Sequence, residues 1–277
     1  MPELAVKVEA IRKVFPPARR SGADGTVAVD GISFDLARGG ALGIVGESGS
    51  GKTTLARMLV GLETPTSGTI HIDGQEMHWG RSTKERRRRA RQIQMVFQDP
   101  YTSLDPRQTV GACIDEVLQL HTTADGRARA DRVVELFEQV GLQARHVSSL
   151  PSALSGGQRQ RVAIARCLAS KARIVILDEA VSALDVSVQS QVLNLLADLR
   201  NRSNLTYLFI SHDLAVVRQL CDDVLVMRRG RCVEHGPTEE VLSSPSDDYT
   251  RLLLDSVPRP GWDPETIART KEGPDRA

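Results

Sequence analysis

Apolar and polar residues follow two different periods along the chain. Ile32, Phe34 and Leu36 alternate with Ser33 and Asp35, the period of a half-buried strand, and the strand-like stretch from Leu4 to Leu36 is broken by a loop from Pro16 to Gly25. Leu42-Gly43-Ile44-Val45 is a short, mostly apolar run, and beyond it Leu55, Met58, Leu59 and Leu62 recur at i, i+3, i+4, i+7. This predicts a strand, a loop and an amphipathic helix. Thr69-Ile70-His71-Ile72 alternates again and meets Asp73-Gly74, a hairpin-turn signal, so a β layer continues past the first helix. Ile93-Gln94-Met95-Val96-Phe97 predicts a further strand, stopped at Gln98-Asp99-Pro100 because proline cannot continue the ladder. From about residue 110 to 169 the helical period dominates, with Val133, Leu136, Phe137 and Val140 on one face and Gly141 as a stop. Ile174-Val175-Ile176-Leu177, Tyr207-Leu208-Phe209-Ile210 and the run from Val224 to Met227 read as strands buried on both faces. Val188, Val192, Leu195, Leu196 and Leu199 place an amphipathic helix between the first two. Strands alternating with helices predict an α/β fold around a parallel sheet, with a β-rich entry layer and a helical insert.

From Gly236 onward prolines accumulate, at Pro237, Pro245, Pro258, Pro260, Pro264 and Pro274, around one short apolar helix near Leu252 to Leu254. A main domain over residues 1–240, with helices inserted at about 102–170, is therefore expected to precede a partly disordered C-terminal extension, 241–277. There is no internal repeat.

Composition narrows the function classes more than it selects one. The 277 residues are 40% hydrophobic and 26% charged, ordinary for a globular protein with a substantial core. Lys and Arg number 36 against 35 for Asp and Glu, so no global field points to nucleic acid or an anionic membrane surface. Lys84 to Arg91 holds six basic residues among eight, but without interleaved aromatics it reads as a solvated helix face, and no nucleic-acid partner is expected. No apolar run approaches the roughly 20 residues that cross a bilayer, and Met1-Pro2-Glu3 opens on an acid rather than a signal peptide. Cys113, Cys167, Cys221 and Cys232 lack metal-ligand spacing and read as buried thiols in a reducing compartment.

The candidate chemistry centres on Gly46-Glu47-Ser48-Gly49-Ser50-Gly51-Lys52-Thr53, which fits Gly-x-x-x-x-Gly-Lys-Ser/Thr and lies between the predicted strand and helix. Glycines let the backbone curl so that N–H groups point at phosphate oxygens, and the helix adds its positive N-terminal end. Lys52 supplies a charge for the β- and γ-phosphates, and the Thr53 hydroxyl is placed to ligate Mg²⁺. Asp178 and Glu179 end an apolar strand. The first is placed to hold a hydrated Mg²⁺ and the second to orient and deprotonate an attacking water. Ser155-Gly156-Gly157-Gln158 precedes a helix carrying Val162, Ala165 and Leu168, so its serine and free amides form an anion site at a helix N-terminus.

Leu154-Ser155-Gly156-Gly157-Gln158, together with Gln98, Asp178-Glu179, Ser182-Ala183-Leu184-Asp185 and Ser211-His212-Asp213 in this order, resembles the ATP-binding-cassette ATPases over about residues 4 to 240. The resemblance implies a P-loop parallel-sheet core with an antiparallel β subdomain and a helical subdomain. It implies that residues 46–54, with Ser48, Gly49 and Thr54 among them, cradle ATP, and that Phe15 stacks on adenine. Gln98 would sense Mg²⁺ and the γ-phosphate, Asp185 would couple two sites across a dimer, and His212 would contact the γ-phosphate and Glu179. Ser155, Gly156, Gly157 and Gln158 would face the nucleotide of a second ATPase subunit. This chain reads Asp178-Glu179-Ala180-Val181-Ser182 where other members have Pro-Thr after the acids; both carboxylates are kept.

Gln98-Asp99-Pro100-Tyr101-Thr102-Ser103-Leu104-Asp105-Pro106-Arg107, Leu184-Asp185-Val186-Ser187-Val188-Gln189 and Gly236-Pro237-Thr238-Glu239-Glu240-Val241-Leu242 further resemble the dipeptide, oligopeptide and nickel importers. That likeness implies a peripheral subunit on the cytoplasmic face of the membrane. It would pair with a homologous ATPase, dock on two permease subunits near Tyr101 to Arg107, and serve an extracytoplasmic solute-binding protein indirectly. Peptide is the expected cargo and nickel the rival. Two other classes stay open at this point: a nucleotide-gated clamp acting on nucleic acid or ribosomes, and a cassette that binds ATP while its partner hydrolyses it.

Overall fold

The computed structural model describes residues 3–17, 25–80, 82–98 and 103–256. The chain enters as two long antiparallel strands, β1 (Leu4–Phe15) and β2 (Thr26–Ala37). With β4 (Ser67–Ile72) and β5 (Gln75–Glu76) they form a sheet in the order β2-β1-β4-β5. Val8 lies opposite Phe34 and Ile11 opposite Ile32, so the alternation seen in β2 becomes a stack of apolar pairs on one face.

The second sheet has the order β10-β9-β3-β8-β7-β6. Its strands are β3 (Ala41–Val45), β6 (Ile93–Val96), β7 (Ile174–Asp178), β8 (Thr206–Ile210), β9 (Asp223–Arg228) and β10 (Arg231–Pro237). The first five run parallel and β10 returns antiparallel to β9. Every residue of β3, β7 and β8 is buried, and the strand period divides them between two cores. Leu42, Ile44, Ile176, Leu208 and Ile210 pack with Leu55, Met58 and Leu59 of α1 (Lys52–Leu59) and with Val8 and Ile32 of the antiparallel sheet. Val45, Leu177, Tyr207, Phe209 and Val226 face the helices on the other side. Both faces are covered, which is why these strands read as unbroken apolar runs.

Between β6 and β7 come α3 (Val110–His121), α4 (Gly126–Gln139) and α5 (Gly156–Ala169), which pack on one another through Ile114, Leu118, Leu136, Phe137 and Val162. The helix α6 (Val186–Ser203) follows β7, and α7 (Leu214–Leu220) follows β8. The basic segment forms α2 (Thr83–Ala90), which buries no residue and is capped by Ser82 accepting the Glu85 N–H. No helix among the described residues is long and apolar enough to cross a membrane.

Several expectations shift. Leu62, read as part of the apolar face of α1, lies beyond the end of that helix and is 60% exposed, because Gly61 at φ +73° turns the chain away. In α6 it is Val192, Leu193, Leu196 and Leu199 that are buried, while Leu195 and Val188 are half-buried. Cys167 and Cys221 are buried, but Cys113 and Cys232 are only half-buried. Beyond residue 240 the chain keeps packing on the core: α8 (Thr238–Ser243) and α9 (Asp248–Asp255) bring Val241, Leu242 and Tyr249 into the helical-side cluster. Residues 257–277, where the later prolines fall, lie outside the described residues.

Candidate active site

Residues 46–51 leave the carboxyl end of β3, in the middle of the parallel sheet, and deliver the chain to α1. Two glycines are there because backbone passes too close for any side chain. A Cβ on Gly46 would stand 2.1 Å from the Met227 carbonyl oxygen, and one on Gly51, where φ is +103°, would stand 2.2 Å from that of Ala28. The loop is thus clamped between β9 and β2. Lys52 is buried, and its ammonium donates to the carbonyl oxygens of Gly46 (2.7 Å) and Glu47 (2.8 Å) and, at 3.4 Å, to Ser50 Oγ. Burial pushes its pKa down, opposed by the nearby carboxylates of Glu179, Asp178 and Glu47. Ser48, Gly49, Thr53 and Thr54 complete the turn and the first residues of α1.

Asp178 ends β7, two strands away across β8, and is buried. The Thr53 hydroxyl donates to Asp178 Oδ1 at 3.4 Å, the long limit of a hydrogen bond. Burial raises the Asp178 pKa, the Thr53 bond opposes this, and the neighbouring Glu179 carboxylate raises it further. A hydroxyl and a carboxylate oxygen facing one spot are the hard donors that suit Mg²⁺, so the residues present fit that ion.

Glu179 takes φ +48°, a left-handed conformation unusual for glutamate, and its N–H donates to the Ile210 carbonyl at 2.9 Å. Its side chain thereby leaves the strand direction and meets two other loops. Gln98 Nε2, just past β6, donates to Glu179 Oε2 at 2.8 Å, and His212 Nδ1, just past β8, stands 3.6 Å from the same oxygen. The His212 loop is itself tied to the cradle strand, since the Ser211 N–H donates to the Ile44 carbonyl at 3.3 Å. Gln98, Glu179 and His212, far apart in sequence, therefore converge beyond the carboxyl edge of three neighbouring strands, with Lys52 and Asp178 alongside.

Phe15 ends β1 half-buried beneath Lys13, whose ammonium lies 4.8 Å from the ring centroid. It pairs with Thr26, two residues along β2 from the Ala28 that presses on Gly51.

Ser155 and Gln158 do not join this group. Ser155 is exposed and caps α5: its Oγ accepts the Gln158 N–H at 3.3 Å, while Gln158 Oε1 accepts the Ser155 N–H at 2.9 Å. A Cβ on Gly157 would stand 2.3 Å from Val188 Cγ1 of α6, which would have to shift, and Gly156 faces Leu184. Asp185 precedes α6 at its cap position without a side-chain capping bond, and the next residue, Val186, is 81% exposed. Ser155 and Asp185 are thus exposed, apart from this group, with Gly156 and Gln158 half-buried and Gly157 buried at the start of α5.

Of the segment expected to dock a permease, Tyr101 and Thr102 lie outside the described residues. Leu104 is buried in the helical-side core, Arg166 donates to the Ser103 carbonyl, and Asp105, Pro106 and Arg107 are exposed. Two features had no sequence signal. Leu62 and Phe97, 60% and 36% exposed, border a groove of about 530 Å³ that Trp79, Arg86 and Arg89 also line. And the Glu47 N–H of the cradle donates to the Tyr249 hydroxyl at 3.0 Å.

A phosphate loop between a central parallel strand and its helix, with an acid at the end of a nearby strand, places the chain among the P-loop nucleoside triphosphatases. The comparisons with known proteins narrow this. The ABC transporter family model matches residues 29–182, and the chain belongs to that family. It is 47% identical to the dipeptide transport ATP-binding protein DppF of Haemophilus influenzae, over 89% of this chain and 76% of that one. It is 43% identical to the oligopeptide transport ATP-binding protein OppF of Bacillus subtilis, over 96% and 86% respectively. Among solved structures, the ATP-binding cassette MJ0796, a dimer in a post-hydrolysis state bound to ADP and Pi, superposes with a TM-score of 0.75 at 27% identity, covering 84% of this chain and 98% of that one. CbiO1 of Clostridium perfringens, part of the transporter complex cbiONQ, gives 0.76 at 29% identity, over 87% and 92%. The chain has the ABC ATPase fold and is an ATP-binding, ATP-hydrolysing subunit of an ABC transporter.

Proposed function

We propose that this subunit powers the import of dipeptides or oligopeptides, working on the cytoplasmic face of the membrane as one of two paired ATPases beneath two permease subunits. The observation that carries the cargo assignment is the likeness, over most of both chains, to dipeptide and oligopeptide transport ATP-binding proteins. The observation that carries the chemistry is the meeting of Gln98, Glu179 and His212 beside Lys52 and Asp178.

In this reading residues 46–54 hold the phosphates of ATP through Gly46, Ser48, Gly49, Gly51, Lys52, Thr53 and Thr54, and Phe15 covers the adenine. Lys52, held over the loop by the Gly46 and Glu47 carbonyl oxygens, supplies its ammonium to the β- and γ-phosphate oxygens. Thr53, Asp178 and Gln98 would hold Mg²⁺, which supplies charge neutralisation on the β- and γ-phosphates. Glu179 takes the proton of the attacking water, Gln98 holds the carboxylate in place, and His212 faces the γ-phosphate from the other side. Ser155, Gly156, Gly157, Gln158 and Asp185 complete the site of the partner ATPase, so each dimer has two composite sites.

The permeases would be received at the groove beside Leu62 and Phe97, with the exposed Asp105, Pro106 and Arg107 also available to them. Its apolar rim and its two arginines suit a short amphipathic helix that carries acid residues. Leu62→Asp should abolish co-purification with the permeases while ATP binding stays at the wild-type level; retained co-purification would remove the groove from the interface. For cargo, the full complex is reconstituted in vesicles with its solute-binding protein. Di- and oligopeptides should stimulate ATP hydrolysis and nickel should not, and the opposite result would replace peptide by nickel.

A further inference from the structure

Helix α9 reaches back to the phosphate loop. Glu234 of β10 clasps its start: the carboxylate accepts the Ser246 N–H at 2.7 Å, the Ser246 hydroxyl at 2.8 Å and the Asp247 N–H at 3.3 Å. Asp247 then caps α9 by accepting the Tyr249 N–H at 2.8 Å. So anchored, Tyr249 is 4% exposed, packed into the helical-side core with Arg228 at 4.9 Å from its ring centroid. Its hydroxyl oxygen accepts the Glu47 N–H, a contact between residues 202 positions apart.

We propose that Tyr249 is a positioning residue for ATP binding, a strut by which α9 fixes the first turn of the phosphate loop. This rests on the reading of residues 46–54 as the ATP cradle. Two geometric facts carry it. The amide that Tyr249 holds belongs to the peptide joining Gly46 to Glu47, and the carbonyl oxygens of those same two residues are the ones that seat the Lys52 ammonium. The other side of that peptide has no slack, since the Met227 carbonyl already fills the space beside the Gly46 Cα. Arg228, which lies over the tyrosine ring, is the residue after Met227, so ring, strand end and loop form one packed unit. Burial raises the Tyr249 pKa, and the Glu47 N–H that donates to the hydroxyl opposes this. Without the hydroxyl the Glu47 amide loses its partner, the peptide is held less firmly, and the loop must be ordered at the expense of nucleotide affinity.

The test uses the full chain and Tyr249→Phe, which keeps the ring and its contact with Arg228. The dissociation constant for ATP should rise about 3- to 10-fold, the scale of one hydrogen bond. The loss should appear in KM more than in kcat, the melting temperature should stay near that of the wild type, and hydrogen exchange at the Glu47 amide should accelerate. Glu234→Ala, which unclasps α9 without touching the ring or the loop, should lower ATP affinity in the same direction and decides the matter if the first variant fails to fold. Wild-type affinity in Tyr249→Phe with unchanged exchange at Glu47, or wild-type affinity in Glu234→Ala when that variant has to decide, overturns the proposal. Lys52→Ala separates this from the cradle reading: if that variant binds ATP as the wild type does, the cradle itself is misassigned.

Discussion

Glu179→Gln should reduce ATP hydrolysis by about 10²- to 10³-fold, the scale of a lost general base, while ATP binding is retained. The substitution keeps the size of the side chain and removes only its basicity. The left-handed backbone at Glu179 and the bond from its N–H to the Ile210 carbonyl do not depend on the carboxylate, so the loop geometry survives. What changes is the oxygen toward which Gln98 and His212 both point. Glutamine there cannot take a proton from water, and the ATP-bound pair of subunits should accumulate because its release needs hydrolysis. Turnover at the wild-type rate would remove Glu179 from the role of base. Neighbouring Asp178 provides the contrast. Its carboxylate is buried and bonded to Thr53, on the side of the phosphate loop, so Asp178→Asn should weaken the hold on Mg²⁺ before it affects proton transfer.

The central sheet was legible in the chain because its strands are buried on both faces. Runs such as Ile174 to Leu177 and Tyr207 to Ile210 carry no polar residue, and few structures other than a covered parallel strand accommodate that. The turn from β3 to α1 was legible for a different reason: its residues are contiguous, so one motif contains both the loop and its requirement for glycine. Gln98, Glu179 and His212 come from three separate loops, and their spacing alone places each only at the end of a strand. Their order within a family resemblance brought them together in expectation, and the sheet order β3-β8-β7-β6 brings them together in space. Two contacts escaped periodicity altogether. Leu62 keeps helical register with Leu59, yet the helix has already ended, so an apolar residue predicted to be inside stands at the rim of a groove. Tyr249 looks like any aromatic of a proline-bounded tail. Only packing of α9 against β10 reveals that its hydroxyl belongs to the phosphate loop.

Ser155→Arg should leave ATP binding at this chain's own cradle intact and abolish hydrolysis at the cradle of its partner. Ser155 is exposed, and its hydrogen-bonding capacity is turned to Gln158 and the first turn of α5, which leaves amides at that helix end directed outward. An arginine in its place removes the cap, worth about 1 kcal/mol, and puts a long cation where the partner's γ-phosphate is expected. The folding cost is small beside the expected loss of turnover, so a stable but silent site is the signature. Pairing this change with Glu179→Gln in dimers of two differently tagged copies gives opposite outcomes for the two possible arrangements. If Ser155 acts across the dimer, both changes on one copy disable both sites, one through each. Placed on opposite copies, they fall on the same site and leave the other working. If Ser155 instead serves its own cradle, the results reverse: both changes on one copy spare the other copy's site, and on opposite copies they silence both. Residual hydrolysis with both changes on one copy, and none with them on opposite copies, would overturn the composite site.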